Sequence, residues 1–218
     1  MRPCRRVTLV TGFPQSGEKI RDQEYDLCLS ANVDNGFISR VVILEEEPGS
    51  RAAGQWTRNR KVTIKKIGKR ATYQDYVDAA NYECGAIVIA NADIRFDWSV
   101  SKLTYTPTET LLSITRADLL PNLPYYIASS DAWAFVPRME VKGCDWVLGR
   151  CGCEFAFNLE VVKQLGWKLW NPCYEVRLFH AHNSGVYSPG HDDWIKSSKM
   201  PIPKVARFAM ESMSFSEE

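Results

Sequence analysis

A short apolar run that ends in polar and acidic residues, AIVIANADIRFD at positions 86–97, is the feature that most constrains the fold. A continuous apolar strand is usually buried on both faces, as in the sheet of an α/β protein. The carboxyl end of such a strand is where open α/β sheets bind their ligands. Asp93 lies at that place, where a carboxylate suits Mg²⁺ or Mn²⁺ beside the diphosphate of a nucleotide. The alternative is an acid that only closes a turn.

The bulk composition is that of an ordinary globular protein. The chain has 218 residues, enough to bury a large core, and its formal net charge of +1 gives no general attraction for nucleic acid. No apolar segment is long enough to be a transmembrane segment, and the first residues do not resemble a secretory signal. Seven cysteines without such a signal indicate reduced thiols, so we expect a cytoplasmic protein.

The first half of the chain alternates strands and helices. Strands are predicted at 6–13, 40–44 and 62–67 and from Ala86, and the turn residues from Pro48 to Arg60 predict a loop. Helices are predicted at about 20–34 and 72–83, with Thr72 as the N-cap of the second. Strand and helix repeated with short connections are typical of a parallel sheet.

The second half has fewer helices. Strands are predicted at 111–115, at 126–127 with 133–136, and across 167–182. One helix is predicted at 154–165 and ends at Gly166. The polar stretch after Pro203 is predicted to be a loosely held tail. The fold class is therefore α/β, with a mixed, mostly parallel central sheet flanked by helices in a single compact domain.

Two features at strand ends suit a nucleotide. The loop that begins at Gly12 lacks the lysine spacing of a phosphate-binding loop, but its backbone lies where it can line a nucleotide pocket. Glu45, at the end of the second strand, can accept hydrogen bonds from a ribose or from a base N–H. Alternatively, Glu45 belongs to a solvated acidic cluster with the two glutamates that follow it.

His180 and His182 close an apolar strand. Because side chains alternate along a strand, the two imidazoles are expected on one face. Imidazole is a common metal ligand and can complete a Mn²⁺ shell that carboxylate and phosphate begin. The alternative for each histidine is packing in the core.

Two carboxylates are candidates for a general base. Glu154 leads a helix out of a glycine-rich loop, where it could face the hydroxyl of an acceptor. Its alternative role is a favourable interaction with the helix dipole. Asp131, placed before the strand at 133–136, is the second candidate.

The order of these features resembles a GT-A-type glycosyltransferase. IVIANADI resembles the strand that carries the D-x-D metal motif, with Asp93 as the matching acid and Asn91 in place of the first acid. GCEFAFNLEVVKQLGWKLW resembles the acid-led helix of inverting members, although Phe155 stands where many relatives have a second acid. HAHNS resembles the histidine-bearing strand end that follows. The resemblance spans roughly 6–187. The chain also resembles the small glycosyltransferase domains of large algal viruses and some bacteria.

The resemblance implies a metal-dependent enzyme that moves a hexosyl or deoxyhexosyl group from a nucleotide sugar, a UDP-sugar in most such families, to a hydroxyl of a glycan or glycoprotein, with inversion. It implies a nucleotide-sugar half at about 1–97, an acceptor half at about 98–203 and a tail at 204–218. Mn²⁺ or Mg²⁺ would be held by Asp93 with His182 or His180, and Glu154 or Asp131 would be the base. The residues expected to bind the nucleotide are Thr11, Gly12, Phe13, Glu45, Arg70, Asn91, Ala92 and Asp93.

Two other functions remain open from the sequence. A sugar nucleotidyltransferase would share the sheet and the metal carboxylate, but it would be expected to have a glycine- and lysine-rich loop after the first strand. A non-catalytic carbohydrate-binding module could use the seven tryptophans and nine tyrosines for stacking, although aromatic residues serve a core equally well.

Overall fold

The structure, a computed structural model, describes residues 6–46, 51–122, 129–185, 195, 203–208 and 215–217. This part of the chain contains four α-helices and eleven strands. Strands and helices alternate in the first half, whereas the second half consists mostly of strands. The α-helices are α1 (Lys19–Asp34), α2 (Arg51–Trp56), α3 (Tyr73–Ala80) and α4 (Cys153–Leu165). Two 3-10 helices lie at Trp98–Tyr105 and Ala117–Asn122.

Nine of the described strands form one sheet, and the other two pair as a separate ribbon. The strands are β1 (Val7–Gly12), β2 (Ile38–Glu45), β3 (Val62–Lys66), β4 (Ala86–Ala90), β5 (Ile94–Phe96), β6 (Thr110–Ile114), β7 (Ala132–Phe135), β8 (Lys168–Asn171), β9 (Leu178–His180), β10 (Lys204–Phe208) and β11 (Phe215–Glu217).

The order across the main sheet is β11-β10-β8-β6-β7-β4-β1-β2-β3. Strand β7 is antiparallel to both neighbours, β10 and β11 are antiparallel to each other, and the remaining pairs are parallel. The sheet is therefore mixed and mostly parallel, as the sequence predicted. Strands from both halves of the chain belong to it, so the described residues form one domain.

Each face of the sheet is covered by its own apolar core. On one face the buried side of α1 (Tyr25, Leu29 and Val33) packs with β5 and the first 3-10 helix. On the other face α3 and α4 cover the sheet, with Tyr73 and Phe157 stacked at a centroid distance of 4.5 Å. Burial on both faces explains why the sequence of β4 is an unbroken apolar run.

The helix ends agree with the signals in the sequence. Thr72 accepts a hydrogen bond from the backbone N–H of Asp75, whose side chain accepts one from the backbone of Thr72, so α3 begins with a complete capping box. Gly166 ends α4 with φ +68°, in the left-handed region where a side chain would be strained. Both predicted boundaries are confirmed.

Several predicted boundaries differ from the structure. Part of the predicted 48–60 loop is helix α2, and the segment 167–182 forms two strands because a turn at 172–177 separates them. Two short strands lie in the predicted tail after Pro203. The predicted turn at 48–50 and strand at 126–127 lie outside the described residues.

Membrane-spanning helices and disulfide bonds are both absent from the described ranges. No helix in the described ranges is long and apolar enough to cross a membrane. No disulfide links the six cysteines that those ranges contain. The cytoplasmic location stays a prediction.

The topology brings several chain segments to one edge of the sheet. Strands β1, β4 and β6 run in the same direction and end at this edge, while the antiparallel β7 begins there. Residues that follow β4 and residues that precede β7 are therefore neighbours, and the backbone N–H of Asn91 donates to the carbonyl of Asp131 at 3.2 Å. Ligands of open α/β sheets bind at such an edge.

A buried polar network beneath the pocket holds the segment that leads into β7. The indole N–H of Trp133 donates to Asn158 at 3.1 Å, and the Asn158 amide donates to Ser113 at 2.9 Å. Ser113 shares a 2.6 Å hydrogen bond with the hydroxyl of Ser130, the residue before Asp131. Asn158 itself is fully buried, so α4 fixes the segment that carries Asp131.

Replacement of Asn158 by alanine should therefore destabilise the fold. The indole N–H and the Ser113 hydroxyl would each lose a partner in the core, and a cavity would remain, so we expect a loss of about 2–4 kcal/mol. Urea unfolding of the variant measures it. Gln164→Ala, on the exposed side of the same helix, is the control and should cost less than about 1 kcal/mol. Equal stability of the two variants would contradict the role given to the network.

Candidate metal centre and active site

A single pocket lies at the edge of the sheet where β1, β4 and β6 end. Its wall combines acidic, basic and aromatic side chains from both halves of the chain. The residues of the wall include Gly12, Arg21, Glu46, Tyr76, Asn91, Ala92, Asp93, Arg116, Asp131, Trp133, Arg150, Cys151, Cys153, Glu154, His180 and His182.

Asp93 lies in the turn between β4 and β5. The backbone N–H of Ala181 donates to the Asp93 carbonyl at 2.9 Å, and β5 pairs with β9 so that Ile94 faces His180. His180 and His182 flank Ala181 in the chain, and both imidazole rings lie close to the Asp93 carboxylate. One ligand atom from each of Asp93, His180 and His182 lies within 4.8 Å of the others. The structure thus brings the three predicted metal residues together.

A buried arginine that the sequence did not single out holds this cluster. The Nη2 of Arg21 lies 2.5 Å from Oδ2 of Asp93, and its Nη1 lies 2.8 Å from Glu24. The same Nη1 donates to the carbonyl of Ala181 at 3.1 Å. Only 6% of the Arg21 side chain is exposed. Helix α1 is thereby tied to both segments that supply the candidate ligands.

Glu24 completes the connection between α1 and the histidine segment. Its carboxylate accepts hydrogen bonds from the backbone N–H groups of Asn183 and Ser184 and from the Ser184 hydroxyl. Burial opposes ionisation, but the hydrogen bonds from Arg21 and Ser184 lower the pKa of Glu24 to about 2. The carboxylate is therefore ionised at neutral pH and holds the chain directly after the histidines.

The electrostatic surroundings also keep Asp93 ionised. Burial alone would raise the pKa of Asp93, but the hydrogen bonds from His180 and His182 and the charge of Arg21 hold it well below its usual range. Its Oδ2 faces Arg21 and His180, whereas its Oδ1 is buried and has no hydrogen-bond partner. A buried anionic oxygen with no partner is costly unless a cation or donor occupies its free side.

The contacts of His180 fix its tautomer. Arg116 Nη1 lies 2.7 Å from Nδ1, and a guanidinium can only donate, so Nδ1 must accept. The proton of the neutral ring is then on Nε2, which donates to Asp93 Oδ2 at 2.9 Å. In this arrangement neither nitrogen of His180 has a lone pair available for a metal ion. His180 therefore orients Asp93 as long as Arg116 stays in contact.

The donor set nevertheless fits a divalent cation. Carboxylate and imidazole together suit Mn²⁺ and its neighbours in the first transition row. Oδ1 of Asp93 and an imidazole nitrogen of His182 would supply two donors, and His180 would supply a third once Arg116 moves away. Asn91, which stands in place of the first acid of the motif, donates from Nδ2 to Asp131 at 3.2 Å.

The two candidate bases lie in the same wall. Burial, reinforced by the charge of Asp131, raises the pKa of Glu154. Burial likewise raises the pKa of Asp131, against the charge of Arg116. Oδ1 of Asp131 accepts from Asn91, while its buried Oδ2 has no hydrogen-bond partner. Both carboxyls thus gain the higher proton affinity that a general base needs.

The predicted nucleotide residues are divided between the wall and the core. Gly12, Asn91, Ala92 and Asp93 line the pocket. Thr11 and Phe13 are buried instead, and the Thr11 hydroxyl donates to the Ala90 carbonyl at 3.0 Å. The structure does not bring Thr11, Phe13, Glu45 or Arg70 to the pocket wall.

Glu45 is buried at the end of the second strand. It is the last residue of β2 and is 1% exposed, and the next residue, Glu46, enters the wall. Glu46 accepts a hydrogen bond from the backbone N–H of Ala71 at 2.9 Å, at the start of the segment that leads into α3. It lies beside Tyr76 and Gly12 in the wall.

Gly12 is constrained by its close approach to Tyr76. A Cβ at Gly12 would lie 2.7 Å from the Tyr76 hydroxyl, closer than real Cβ contacts allow. The approach sets the width of the pocket between β1 and α3. Gly12 was singled out by its place at the end of a predicted strand, whereas no sequence pattern singled out Tyr76.

The affinity for Mn²⁺ in suitable variants distinguishes the role of His182 from that of His180. His182→Ala should weaken Mn²⁺ binding at least about tenfold, because a direct ligand is lost. Arg116→Gln should leave binding unchanged or strengthen it, since Nδ1 of His180 can then carry the proton and Nε2 can bind the metal. Isothermal titration calorimetry with MnCl₂ measures both affinities.

The matched control is Arg150→Gln, which removes the same charge from the wall. A gain confined to Arg116→Gln supports release of His180, whereas equal gains in both variants would indicate a general electrostatic effect. Wild-type affinity in His182→Ala would remove His182 from the metal site.

Comparison with known proteins gives only distant likenesses. No protein-family model and no curated protein matches the sequence. Among solved structures, the chain is similar to a mannosyltransferase from Pyrobaculum calidifontis in complex with GDP-Man and Mn²⁺, with 12% identity and a TM-score of 0.45 over 64% of this chain and 49% of that one. It is also similar to S. aureus TarS in complex with UDP-GlcNAc, with 8% identity and a TM-score of 0.38 over 51% and 34%. The chain thus spans half or less of their length.

Proposed function

We propose that the protein is a metal-dependent glycosyltransferase that moves a sugar from a nucleotide sugar to a hydroxyl acceptor. The observation that carries the proposal is the meeting of two groups in one pocket: a carboxylate with two histidines on one side, and two carboxyls of raised pKa on the other. The first group suits a diphosphate with its cation and the second suits a hydroxyl that must lose a proton.

The donor side of the proposed site is built by Asp93 and the two histidines. Mn²⁺ or Mg²⁺, when bound there, would neutralise the charge that develops on the departing diphosphate. Asp93 would contribute Oδ1, and His182 a ring nitrogen, while Arg21 holds the other carboxylate oxygen in place. Arg116, partly exposed in the wall, lies where its guanidinium can also bind a phosphate oxygen.

The acceptor side is built by Glu154, at the first turn of α4. Its carboxylate would accept the proton of the acceptor hydroxyl while that oxygen attacks the anomeric carbon and the bond to the diphosphate breaks. Attack by the acceptor itself in one displacement inverts the anomeric centre. Asp131 is the alternative base, because it lies in the same wall and is also buried enough to have a raised pKa.

A UDP-sugar is the proposed donor and a glycan or glycoprotein the proposed acceptor. A uracil N–H needs one acceptor, and Glu46 offers a carboxylate at the end of β2, in place of the predicted Glu45. Gly12 and Tyr76 define a narrow wall beside it. The resemblance to the small domains of algal viruses stays a prediction.

The two other functions differ from this proposal in measurable ways. A nucleotidyltransferase would hold a triphosphate and release pyrophosphate, and a carbohydrate-binding module would show no metal-dependent nucleotide binding. Thermal unfolding with UDP, alone and with Mn²⁺, separates the module from the enzymes, because a ligand that binds only the folded state raises the melting temperature. Release of UDP from a panel of UDP-sugars separates the transferase from the nucleotidyltransferase.

Asp93→Asn tests the donor side. The amide removes the charge that attracts the cation, so transfer should fall at least about a hundredfold, the usual scale for loss of an electrostatic stabiliser. Mn²⁺-dependent UDP binding, followed by calorimetry, should be lost as well. Since Arg21 also loses a charged partner, a circular dichroism melt must accompany the assay. A folded variant with wild-type turnover at low Mn²⁺ would contradict the assignment.

Glu154→Gln tests the acceptor side. The donor binds to other residues, so UDP-sugar affinity should remain near the wild-type value while transfer falls by about 10²–10⁴, the range of general base catalysis. In the wild type only ionised Glu154 can accept a proton. Because its pKa is raised above 4.5, the acid limb of kcat should lie above pH 4.5 and should disappear in the variant.

Asp131→Asn is the matched control for this experiment. Loss of transfer in Asp131→Asn alone, with Glu154→Gln fully active, would move the base to Asp131. Full activity of both variants would leave the inverting mechanism without a base.

A further inference from the structure

The β5–β9 ribbon has an outer face that faces away from the apolar core. Ile94, Phe96 and Leu178 are buried on its inner face. On the outer face Arg95 is paired in register with Phe179, and its guanidinium carbon lies 5.0 Å from the centre of the Phe179 ring. The guanidinium carbon of Arg177 lies 5.7 Å from the same centre. Two exposed cations therefore share one aromatic ring.

The first 3-10 helix continues this face. The backbone N–H of Arg177 donates to the Ser99 hydroxyl at 2.8 Å, which joins the helix to the beginning of β9. Lys102, in the middle of this helix, pairs with Glu175 and lies 6.0 Å from the Trp98 ring. We call the surface formed by Arg95, Arg177, Phe179, Lys102 and Trp98 the ribbon face.

The ribbon face is basic and carries an exposed aromatic ring. Glu175 is engaged by Lys102, and neither Arg95 nor Arg177 forms an ion pair with any acid in the described ranges. Trp98 is 62% exposed, and Tyr174, beside Glu175 in the chain, is 48% exposed. Large exposed aromatic residues next to arginines without acidic partners indicate a binding surface.

We propose that the ribbon face binds an anionic lipid surface. Tryptophan and tyrosine favour the interface between headgroups and hydrocarbon, and arginine and lysine near an anionic bilayer each contribute about a fivefold gain in binding. Trp98 and Tyr174 are exposed, so their rings are accessible to a bilayer surface. Arg95 and Arg177, which have no acidic partner within the described ranges, supply the complementary charge. This inference does not depend on the proposed transferase activity.

Co-sedimentation with lipid vesicles tests the proposal. The wild-type protein should bind vesicles of phosphatidylcholine with 30% phosphatidylglycerol and lose this binding as the salt concentration rises, but it should bind pure phosphatidylcholine weakly. The double variant Arg95→Gln/Arg177→Gln should bind the anionic vesicles about 25-fold more weakly, two factors of about five. Trp98→Ala should also weaken binding, and at high salt as well, because its contribution is not electrostatic.

The matched control is Lys142→Gln/Lys163→Gln, which removes two exposed positive charges from the opposite side of the sheet. It should bind like the wild type, and melts should show that all variants fold. Absence of wild-type binding to anionic vesicles, or equal weakening in the two double variants, would overturn the proposal. Binding of wild-type protein to an acidic polysaccharide column but not to vesicles would also overturn it and assign the ribbon face to an anionic glycan.

Discussion

The buried ion pair between Arg21 and Asp93 is the interaction on which the candidate site depends. It joins α1 to the turn after β4, and through Glu24 and the Ala181 carbonyl it joins α1 to the segment after β9. Breaking a buried pair costs about 3–5 kcal/mol, because the remaining charge is left without compensation. The same pair therefore fixes three elements that are distant in sequence and sets the charge of the pocket. Stability and function share one contact here.

That pair also shapes how a cation can bind. Arg21 already neutralises part of the Asp93 charge, and Arg116 holds His180 in the tautomer that cannot ligate. A divalent ion entering alone meets two guanidinium groups, whereas one that arrives with a diphosphate brings the negative charge that both can pair with. Under the proposed function, Arg116, which is partly exposed, would exchange His180 for a phosphate oxygen. These charges would then favour joint binding of metal and nucleotide over binding of the metal alone.

Sequence reasoning succeeded where the signal is local. The period of two along a strand placed His180 and His182 on one side, and the polar residues after an apolar run placed Asp93 at the edge of the sheet. The caps Thr72 and Gly166 were likewise visible as single residues with a conformational role. It did not show that Glu45 would be buried and that Glu46 would line the pocket, because tertiary packing around the end of β2 decides which of the two is covered. Arg21 gave no signal, since a basic residue in a helix is usually solvated and only the tertiary fold buries this one.

The reversed direction of β7 explains why the sequence could not show that Asp131 lies at the same edge of the sheet as Asp93. In a purely parallel sheet the residue before a strand lies at the opposite edge from the residue after its neighbour, so Asp131 would be far from Asp93. Because β7 runs antiparallel between β4 and β6, the start of β7 and the end of β4 lie together, and Asn91 bonds to Asp131 through both backbone and side chain. Strand direction depends on pairing between distant segments, which no local pattern encodes. The buried polar residues Ser113 and Asn158 are then explained, since they hold this reversed segment in an otherwise apolar sheet.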